Sequence, residues 1–334
     1  MLWKPSPLSS GGIILTYQCS NQCRHCLYAS SPSWKDWISE ENVVQILEGL
    51  KKHGRFLTGL HIAGGEPFLK PDIVEFVVRK AVELGIPLDY VETNAFWCWN
   101  DDKTFETFTR LKEAGLPAVL VSASPFHLEF VPMEKTRRAV RVGREVFGRK
   151  GVVIFTDFFY EQLQDVNPQH PVSLEDYIEA FGQERASLAF AAEYSLIPNG
   201  RAATRLVHLY ARHPASYFFG GTCALELSSP HHIHIDLYGN YIAGLCAGIS
   251  LGDGRNLESL YAGIDLDERP VLEKLIRGGV ESLFSWAVQE FEYKENIDGY
   301  IAKCQLCLDI RRHLVRVCAG LRELAPLGFY QNLE

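Results

Sequence analysis

Short apolar runs alternate with amphipathic segments over the first two thirds of the chain. Four of the amphipathic segments have helical periodicity and clear ends. Ser39 can cap the first of them, which stops near Gly54, and Pro71 and Gly85 mark the start and end of the second. Asp101 can cap the third, which ends at Gly115, and the fourth covers residues 133–147. Six apolar runs predict strands buried on both faces, at residues 13–17, 57–63, 88–93, 118–122, 152–157 and 188–197.

This order of elements predicts an α/β fold with a parallel sheet, because strands that alternate with helices form right-handed crossovers. Six units are too few for a closed eight-stranded barrel, so we expect an open, partial (β/α)6 TIM-like barrel. From about residue 220 the pattern changes to a hairpin, at 231–236 and 241–245, and to helices near 270–277, 297–302 and 308–324. We therefore expect a core domain at residues 1–219 and a smaller α+β domain at residues 220–334.

Composition and charge narrow the possible functions. The chain has 334 residues, 47% of them apolar, and 33 Lys and Arg against 41 Asp and Glu give a net charge of −8. No basic block favours a nucleic-acid partner, and no apolar run approaches the roughly 20 residues that span a membrane. Prolines at positions 5 and 7 interrupt the segment where a signal peptide would be apolar. We expect a cytoplasmic protein without a nucleic-acid or membrane partner.

Nine cysteines suggest metal binding rather than disulfides, since their number is odd and no secretion signal is evident. Cys19, Cys23 and Cys26 form a C-x3-C-x2-C motif directly after the first predicted strand. Three thiolates on one loop can hold three irons of a 4Fe–4S cube and leave the fourth iron open. Zinc is the alternative, although it prefers four protein ligands in a closed site.

The motif resembles the signature of radical S-adenosylmethionine (SAM) enzymes. Several further positions at successive strand ends resemble those with which this family binds SAM. They are His25 within the cysteine loop, the GGEP motif Gly64-Gly65-Glu66-Pro67, Thr93 and Asn94 after the third strand, and Ser122 and Ser124 after the fourth. The segment 196–202 is similar to the ending of strand six in relatives that carry an auxiliary cluster.

The resemblance implies a mechanism and a partner. SAM would chelate the open iron, and an electron from a flavodoxin- or ferredoxin-type donor would cleave it to methionine and a 5′-deoxyadenosyl radical. That radical would abstract a hydrogen from an unactivated carbon of the substrate, with net oxidation or rearrangement.

Four of the remaining cysteines lie in the C-terminal part and could form a second site. Cys223, Cys246, Cys304 and Cys307 resemble the ligands of the twitch domain, a short relative of the SPASM domain that binds an auxiliary 4Fe–4S cluster. A structural zinc site with the same four thiolates is the alternative. Cys98 and Cys318 are more typical of small buried apolar residues.

Acid–base groups are less clearly indicated by the sequence. His127 and Glu129 follow the fourth strand, and Asp157 and Glu193 lie near the ends of the fifth and sixth, so each is a candidate catalytic residue. His232, His234 and Asp236 alternate along a predicted strand and face the same way. They could bind a metal or a polar substrate, or form an ordinary hydrogen-bonded sheet face.

The substrate class stays open between two possibilities. Twitch-type relatives act on small molecules and SPASM-type relatives on peptides. The first strand begins near residue 13, which leaves no room for an N-terminal peptide-recognition domain and favours a small molecule. A peptide-modifying enzyme with a separate recognition partner is one alternative. A non-catalytic iron–sulfur or zinc module is the other, but such a module has no use for a SAM pocket.

Overall fold

The computed structural model describes residues 2–54, 57–166 and 169–334, which form nine strands. In chain order these are β1 Leu2–Trp3, β2 Ser10–Ile14, β3 Gly59–Ala63, β4 Leu88–Thr93, β5 Val119–Ser122, β6 Val152–Phe155, β7 Ile233–Asp236, β8 Tyr241–Ile242 and β9 Ile264–Asp265.

The same residues form fourteen α-helices. They are α1 Glu40–His53, α2 Pro71–Leu84, α3 Asp101–Ala114, α4 Pro125–Leu128, α5 Met133–Phe147, α6 Asp157–Gln162, α7 Leu174–Phe181, α8 Gln183–Ala192, α9 Ala202–Arg205, α10 Ala224–Ser228, α11 Leu257–Ala262, α12 Pro270–Phe291, α13 Lys303–Val317 and α14 Leu327–Gln331.

Seven of the strands share one sheet in the order β6-β5-β4-β3-β2-β7-β8. All neighbours pair in parallel except β7 and β8, which form the predicted hairpin. The sheet therefore has six parallel strands with β6 and β8 at its edges, and the predicted α/β fold with a partial barrel is confirmed. A separate two-stranded pairing joins β1 to β9.

Most of the predicted helix ends are confirmed by backbone geometry. The Ser39 side chain accepts a hydrogen bond from the Asn42 backbone N–H and caps α1. Gly85, which ends α2, has the left-handed conformation with φ 71°. The cap of α3 is Asn100 rather than Asp101, one residue earlier than expected.

The predicted strand at residues 188–197 is wrong, because most of this segment belongs to α8 and the loop that follows. A short apolar run fits a helix or a strand equally well, and its alanines favour the helix. Phe190 and Tyr194 pack there against Phe126 and Phe159 in a second apolar cluster. The sixth parallel strand is β7, which joins the opposite side of the sheet next to β2.

Helix predictions in the C-terminal third are partly corrected. Residues 297–302 are not helical, and the helix expected at 308–324 is α13, which begins and ends earlier. The helix expected at 270–277 extends to Phe291, with a kink at Gly279. None of the helices in the described ranges has the length and apolarity needed to cross a membrane.

The C-terminal third is joined to the core through its backbone. Residues on β7 pair in register with residues on β2, as Ile13 does with Ile235. Residues from both parts of the chain, including Ile13, Ile235 and Leu314, lie in one apolar core. The two domains predicted at residues 1–219 and 220–334 therefore share one sheet. The boundary between them stays a prediction.

A glycine on β2 makes the close pairing with β7 possible. A Cβ atom at Gly11 would lie 2.0 Å from the backbone oxygen of Ile233, which cannot move without breaking the strand pairing. We expect Gly11→Ala to lower the free energy of unfolding by about 1–3 kcal/mol. Chemical denaturation measures the change. Gly49→Ala on α1, where an added Cβ meets its neighbours at 3.7 Å, is the control and should be neutral or stabilising. Equal effects of the two substitutions would contradict this account.

Candidate active site

The three cysteines of the C-x3-C-x2-C motif lie on the loop after β2, at the carboxyl end of the sheet. Two backbone N–H groups donate hydrogen bonds to their sulfurs, from Asn21 to Cys19 Sγ at 3.4 Å and from Ser30 to Cys26 Sγ at 3.3 Å. Hydrogen bonds to sulfur are among the features with which proteins tune iron–sulfur clusters.

The turn after β3 packs directly onto this loop. The Gly65 N–H donates to Thr16 O at 2.7 Å, and the Glu66 N–H donates to Gln18 O at 2.9 Å. A Cβ atom at Gly65 would lie 2.2 Å from Gln18 O, so only glycine permits this approach. Gly65 thus brings the GGEP turn against the segment that leads into the cysteine loop.

The Glu66 side chain joins the ends of β3 and β4. Its carboxylate accepts hydrogen bonds from the Asn94 backbone N–H at 2.7 Å, the Thr93 hydroxyl at 3.0 Å and the Phe68 backbone N–H at 3.0 Å. Burial raises the pKa of Glu66 to about 7, although these hydrogen bonds act in the opposite direction. The carboxylate therefore positions Thr93 and Asn94 rather than facing a ligand.

A cavity of about 460 Å³ opens beside the cysteine loop inside the barrel. Ten of the predicted site residues line it: Cys19, Cys23, His25, Cys26, Gly64, Gly65, Thr93, Asn94, Ser122 and His127. The structure brings these residues together from the loop after β2, the turn after β3, the ends of β4 and β5, and α4. Glu66, Pro67 and Ser124 lie outside the lining.

Two histidines form an aromatic corner of the cavity. The rings of His25 and His127 lie with their centroids 4.8 Å apart, and Tyr194 packs on His25. The Ser124 hydroxyl hydrogen-bonds His127 Nδ1 at 2.8 Å. Burial lowers the pKa of His127 to about 4, so its imidazole is neutral at pH 7.

The three carboxylates predicted as acid–base candidates lie outside the cavity lining. Glu129 forms an ion pair with Arg24 at 2.9 Å. Asp157 is exposed in the first turn of α6, and Glu193 is exposed at the end of α8. A strand at residues 188–197 would have placed Glu193 near the carboxyl end of the sheet, but this segment is α8 and its following loop, and Glu193 faces solvent.

The residues around the three thiols fit a cluster and a polar ligand. The Asn21 amide nitrogen, the Ser30 hydroxyl and His25 Nδ1 are buried at the lining of the cavity without a hydrogen-bond partner. Such groups are costly to bury unless a ligand or water satisfies them. Burial also raises the pKa of Cys19 and of Cys23, so a metal must displace their protons before they can coordinate it.

A buried arginine lies next to these thiols. Arg201 is 1% exposed and donates to the backbone oxygens of Cys23 at 2.7 Å and Ser30 at 2.9 Å. Among the described residues it forms no ion pair with a carboxylate, and its Nε has no partner. A buried cation without a counter-charge is unfavourable, and thiolates of a bound cluster would supply that charge.

The four C-terminal cysteines are also brought together. Cys223 precedes α10, Cys246 lies in the loop after β8, and Cys304 and Cys307 share one face of the first turns of α13. Burial raises the pKa of Cys246, and negative charge on Cys304 and Cys307 raises it further.

A second buried arginine accompanies this set of thiols. Arg311 is 1% exposed and donates to Ala247 O at 3.0 Å and to the Tyr330 hydroxyl oxygen at 2.9 Å. It too forms no ion pair with a carboxylate within the described ranges, and its Nε has no partner. Cys246 and Cys307 are close enough to interact with its charge.

Several lining residues were not found from the sequence. Tyr28, Tyr90 and Glu92 line the cavity, and so does Tyr194. Tyr90 and Glu92 alternate on β4, a period-2 signal that could have marked them, but the whole run reads as an apolar strand.

The alternatives left open for His232, His234 and Asp236 are decided by geometry. Asp236 accepts hydrogen bonds from the Tyr17 hydroxyl at 2.8 Å and from the Tyr238 and Asn240 backbone N–H groups at 2.9 and 2.8 Å, so it builds the hairpin turn. His232 and His234 line the cavity. Within the described part of the chain, no three His, Cys, Asp or Glu side chains are arranged to hold one metal ion, and this includes the cysteines. The irons of a 4Fe–4S cube each take their own thiolate, so the ligands of a cluster need not meet at a single ion.

Comparison with known proteins finds a family match in the part of the chain that contains the first of these sites. Residues 13–157 match the model of the Radical SAM superfamily, a range that contains the cysteine loop, the GGEP turn and the ends of β4 and β5. The chain contains a radical SAM domain. Members of this superfamily are enzymes that bind SAM and an iron–sulfur cluster.

Individual relatives match parts of the chain. "Molybdenum cofactor biosynthesis protein 1" of Mus musculus is 26% identical over 39% of this chain and 20% of its own length. "Putative peptide biosynthesis protein YydG" of Bacillus subtilis is 24% identical over 40% of this chain and 41% of its own length. The chain therefore matches less than half the length of either protein. A solved structure of native anSMEcpe with bound AdoMet covers 98% of this chain and 100% of its own, at 14% identity and a TM-score of 0.49.

The buried Glu66 of the radical SAM domain makes stability depend on pH. Its folded pKa of about 7 lies above the ordinary value of 4.5, so the folded state holds this proton more tightly than the unfolded state does. The free energy of unfolding should therefore fall as pH rises from about 4.5 to about 7, by at most about 3 kcal/mol. Glu66→Gln should flatten that fall.

Thermal unfolding midpoints at pH 5 and pH 7.5 measure this effect, with all proteins prepared in the same way. Glu48→Gln, at an exposed position on α1, is the control and should keep the wild-type pH dependence. An unchanged pH dependence in Glu66→Gln would show that the buried carboxyl does not cause it.

Proposed function

We propose that this protein is a radical SAM enzyme that holds a 4Fe–4S cluster through Cys19, Cys23 and Cys26 and SAM in the adjoining cavity. The observation that carries the proposal is that three thiols of one loop open onto the same cavity as the GGEP glycines and the ends of β4 and β5. Arg201, buried beside Cys23 without a carboxylate, supports a negatively charged group at this place.

The bound groups would supply the reactive chemistry, and the chain would supply their binding and orientation. When bound, the cluster and SAM supply reductive cleavage of SAM and a radical able to abstract hydrogen from an unactivated carbon. The chain's own residues hold and orient these groups. Gly64 and Gly65, which lack side chains, allow a bound group to approach the backbone closely. Glu66 fixes the positions of Thr93 and Asn94. Ser124 holds the neutral His127 at the aromatic corner.

A second 4Fe–4S cluster at Cys223, Cys246, Cys304 and Cys307 is also part of the proposal. Four thiols that lie near one another, with a buried and unpaired Arg311 beside two of them, favour an anionic group. An iron–sulfur cluster with four thiolates carries negative charge and so does a zinc site with four thiolates, so metal analysis must separate the two.

One segment physically joins the two sets of thiols. The Arg201 N–H donates to Cys26 O at 2.9 Å, and the Asn199 amide donates to Leu245 O at 2.8 Å, next to Cys246. Asn199 Oδ1 in turn accepts from Arg311 at 3.5 Å. The positions of the two sites therefore depend on each other through residues 199–201.

Other parts of the proposal follow from the family. The electron donor is a flavodoxin or ferredoxin in the cytoplasm, the outcome is an oxidation or rearrangement, and residues 1–219 and 220–334 divide the work between the two clusters. The substrate is a small molecule or a peptide. A peptide would agree with the name of the Bacillus subtilis relative, and a separate partner would then recognise it.

A non-catalytic iron–sulfur or zinc module is the competing class. An electron carrier needs ligands and a protein surface, whereas this site adds a cavity of about 460 Å³ lined by unsatisfied polar groups. That cavity favours the enzyme.

Removing the first set of thiols tests the enzymatic proposal. We expect the triple substitution Cys19→Ala, Cys23→Ala and Cys26→Ala to abolish reductive SAM cleavage, because no other described thiol lines the cavity. Formation of 5′-deoxyadenosine by anaerobically reconstituted protein with dithionite is the measurement. Cys318→Ala, a thiol outside both sites, is the control and should cleave SAM at the wild-type rate. Cleavage that persists in the triple variant would refute the assignment of this cluster.

Removing part of the second set tests the auxiliary cluster. Wild-type protein should contain roughly eight irons per chain, and Cys304→Ala with Cys307→Ala should retain roughly four. SAM cleavage should persist in this variant, since every residue that lines the cavity near the first set of thiols is unchanged. Circular dichroism checks that α13 still folds. Stoichiometric zinc in wild-type protein, or an unchanged iron content in the variant, would overturn the second cluster.

A further inference from the structure

The cavity has a second polar surface, which lies deeper in the barrel than the thiols. We call it the polar wall: Tyr28, Tyr90, Glu92, His232 and His234, all of which line the cavity. Tyr90 precedes Thr93 by three residues on β4, which places it about 10 Å closer to the amino end of the sheet. Tyr90 therefore lies deeper than the strand ends that face the cysteine loop, whereas Glu92 directly precedes Thr93 and Tyr28 follows Cys26 by two residues.

Hydrogen bonds and a ring stack connect three members of this wall, Tyr28, His234 and Tyr90, through the buried His61. The Tyr28 hydroxyl lies 2.9 Å from His234 Nδ1, and His234 Nε2 lies 2.9 Å from Nε2 of the buried His61. The His61 ring stacks on Tyr90 with centroids 5.3 Å apart. Burial lowers the pKa of His61 and of His234, so both imidazoles are neutral. Two neutral rings can form this hydrogen bond because the Nε2 of one ring carries a proton and the Nε2 of the other accepts it.

Glu92 is the carboxylate of the wall, and like the Tyr90 hydroxyl and the His232 ring it has no hydrogen-bond partner among the described residues. Among the described residues its carboxylate has no donor within hydrogen-bond distance, and its nearest polar contact is His61 Nε2 at 3.8 Å. His61 is neutral, since burial lowers its pKa to about 3, so it does not balance the charge that Glu92 carries above its own pKa, which burial raises to about 7. A carboxylate that faces a cavity without donors is best satisfied by donors on a ligand.

No lysine or arginine is among the described residues that line the cavity. Proteins bind phosphate and carboxylate groups with such side chains or with several backbone N–H groups. An anionic group placed against Glu92 would be repelled. A hydroxyl or ammonium group would instead donate to Glu92 and exchange hydrogen bonds with the phenols and imidazoles.

We infer that the polar wall is the substrate-recognition surface, and that it takes a hydroxyl- or ammonium-bearing group that carries no phosphate or carboxylate. Glu92 accepts from that group, and Tyr28, Tyr90 and the two histidines orient it. This inference rests on the proposed function, because SAM and the cluster would occupy the opposite side of the cavity.

Three-carbon probes that differ in charge test the inference. Serinol carries two hydroxyls and an ammonium group, glycerol carries three hydroxyls, and glycerol 3-phosphate adds a phosphate. Binding to reconstituted protein with SAM is measured by ligand-observed NMR up to about 100 mM probe. We expect serinol to bind at least about ten times more tightly than glycerol 3-phosphate, as an ammonium–carboxylate hydrogen bond implies.

Two variants locate the binding. Glu92→Gln should weaken serinol at least about tenfold and leave SAM affinity and iron content unchanged. Tyr90→Phe keeps the ring stacked on His61, removes only the hydroxyl and should weaken the binding of both serinol and glycerol. This variant tests the inference if Glu92→Gln does not fold. Glu48→Gln on α1 is the control and should bind all probes as wild type does.

Four results would overturn the inference. They are glycerol 3-phosphate binding as tightly as serinol, no binding of serinol or glycerol, unchanged serinol affinity in Glu92→Gln, and a loss of SAM affinity in that variant, which would assign the wall to SAM. Failure of the proposed function itself would appear separately, as wild-type protein that does not cleave SAM.

Discussion

Two buried arginines without carboxylate partners are the constraint on which both cysteine sites depend. Arg201 and Arg311 are almost fully buried, and each donates to backbone or phenol oxygens while its charge faces thiols. In a low-dielectric interior such charges are stable only near negative charge. These charges support the anionic groups proposed at both cysteine sites, and Asn199, which contacts Leu245 and Arg311, joins the two sites.

Close backbone approach is the second organising feature of the molecule. Gly11 lets β7 pair tightly with β2, and Gly65 lets the GGEP turn pack on the segment before the cysteines. The first contact brings His234 from the C-terminal third into the barrel of the radical SAM domain. The cavity is thus built from both parts of the chain, with the thiols at the strand ends and a polar wall beneath them.

The two sides of the cavity differ in the charge of the groups around them. Around the cysteine loop, buried polar atoms without partners and a nearby arginine favour an anionic cluster and a polar cofactor. Deeper in the barrel, Glu92 lies among neutral phenols and imidazoles, with no cation in the described lining. In the proposed enzyme, this difference in charge would separate the place of the cofactor from that of the substrate within one cavity of about 460 Å³.

The sequence by itself determined what depends on local spacing. It predicted five of the parallel strands, the caps of α1 and α2, and the cysteine loop, because apolar period, Gly and Pro positions and thiol spacing are local properties. Only the tertiary structure decided which apolar run becomes the sixth strand, since residues 188–197 fit a helix or a strand until their packing partners are known. It also decided that Glu193 turns outward while Glu92 and His234 line the cavity. Those positions depend on strand order and on contacts between residues more than a hundred positions apart, which no local pattern records.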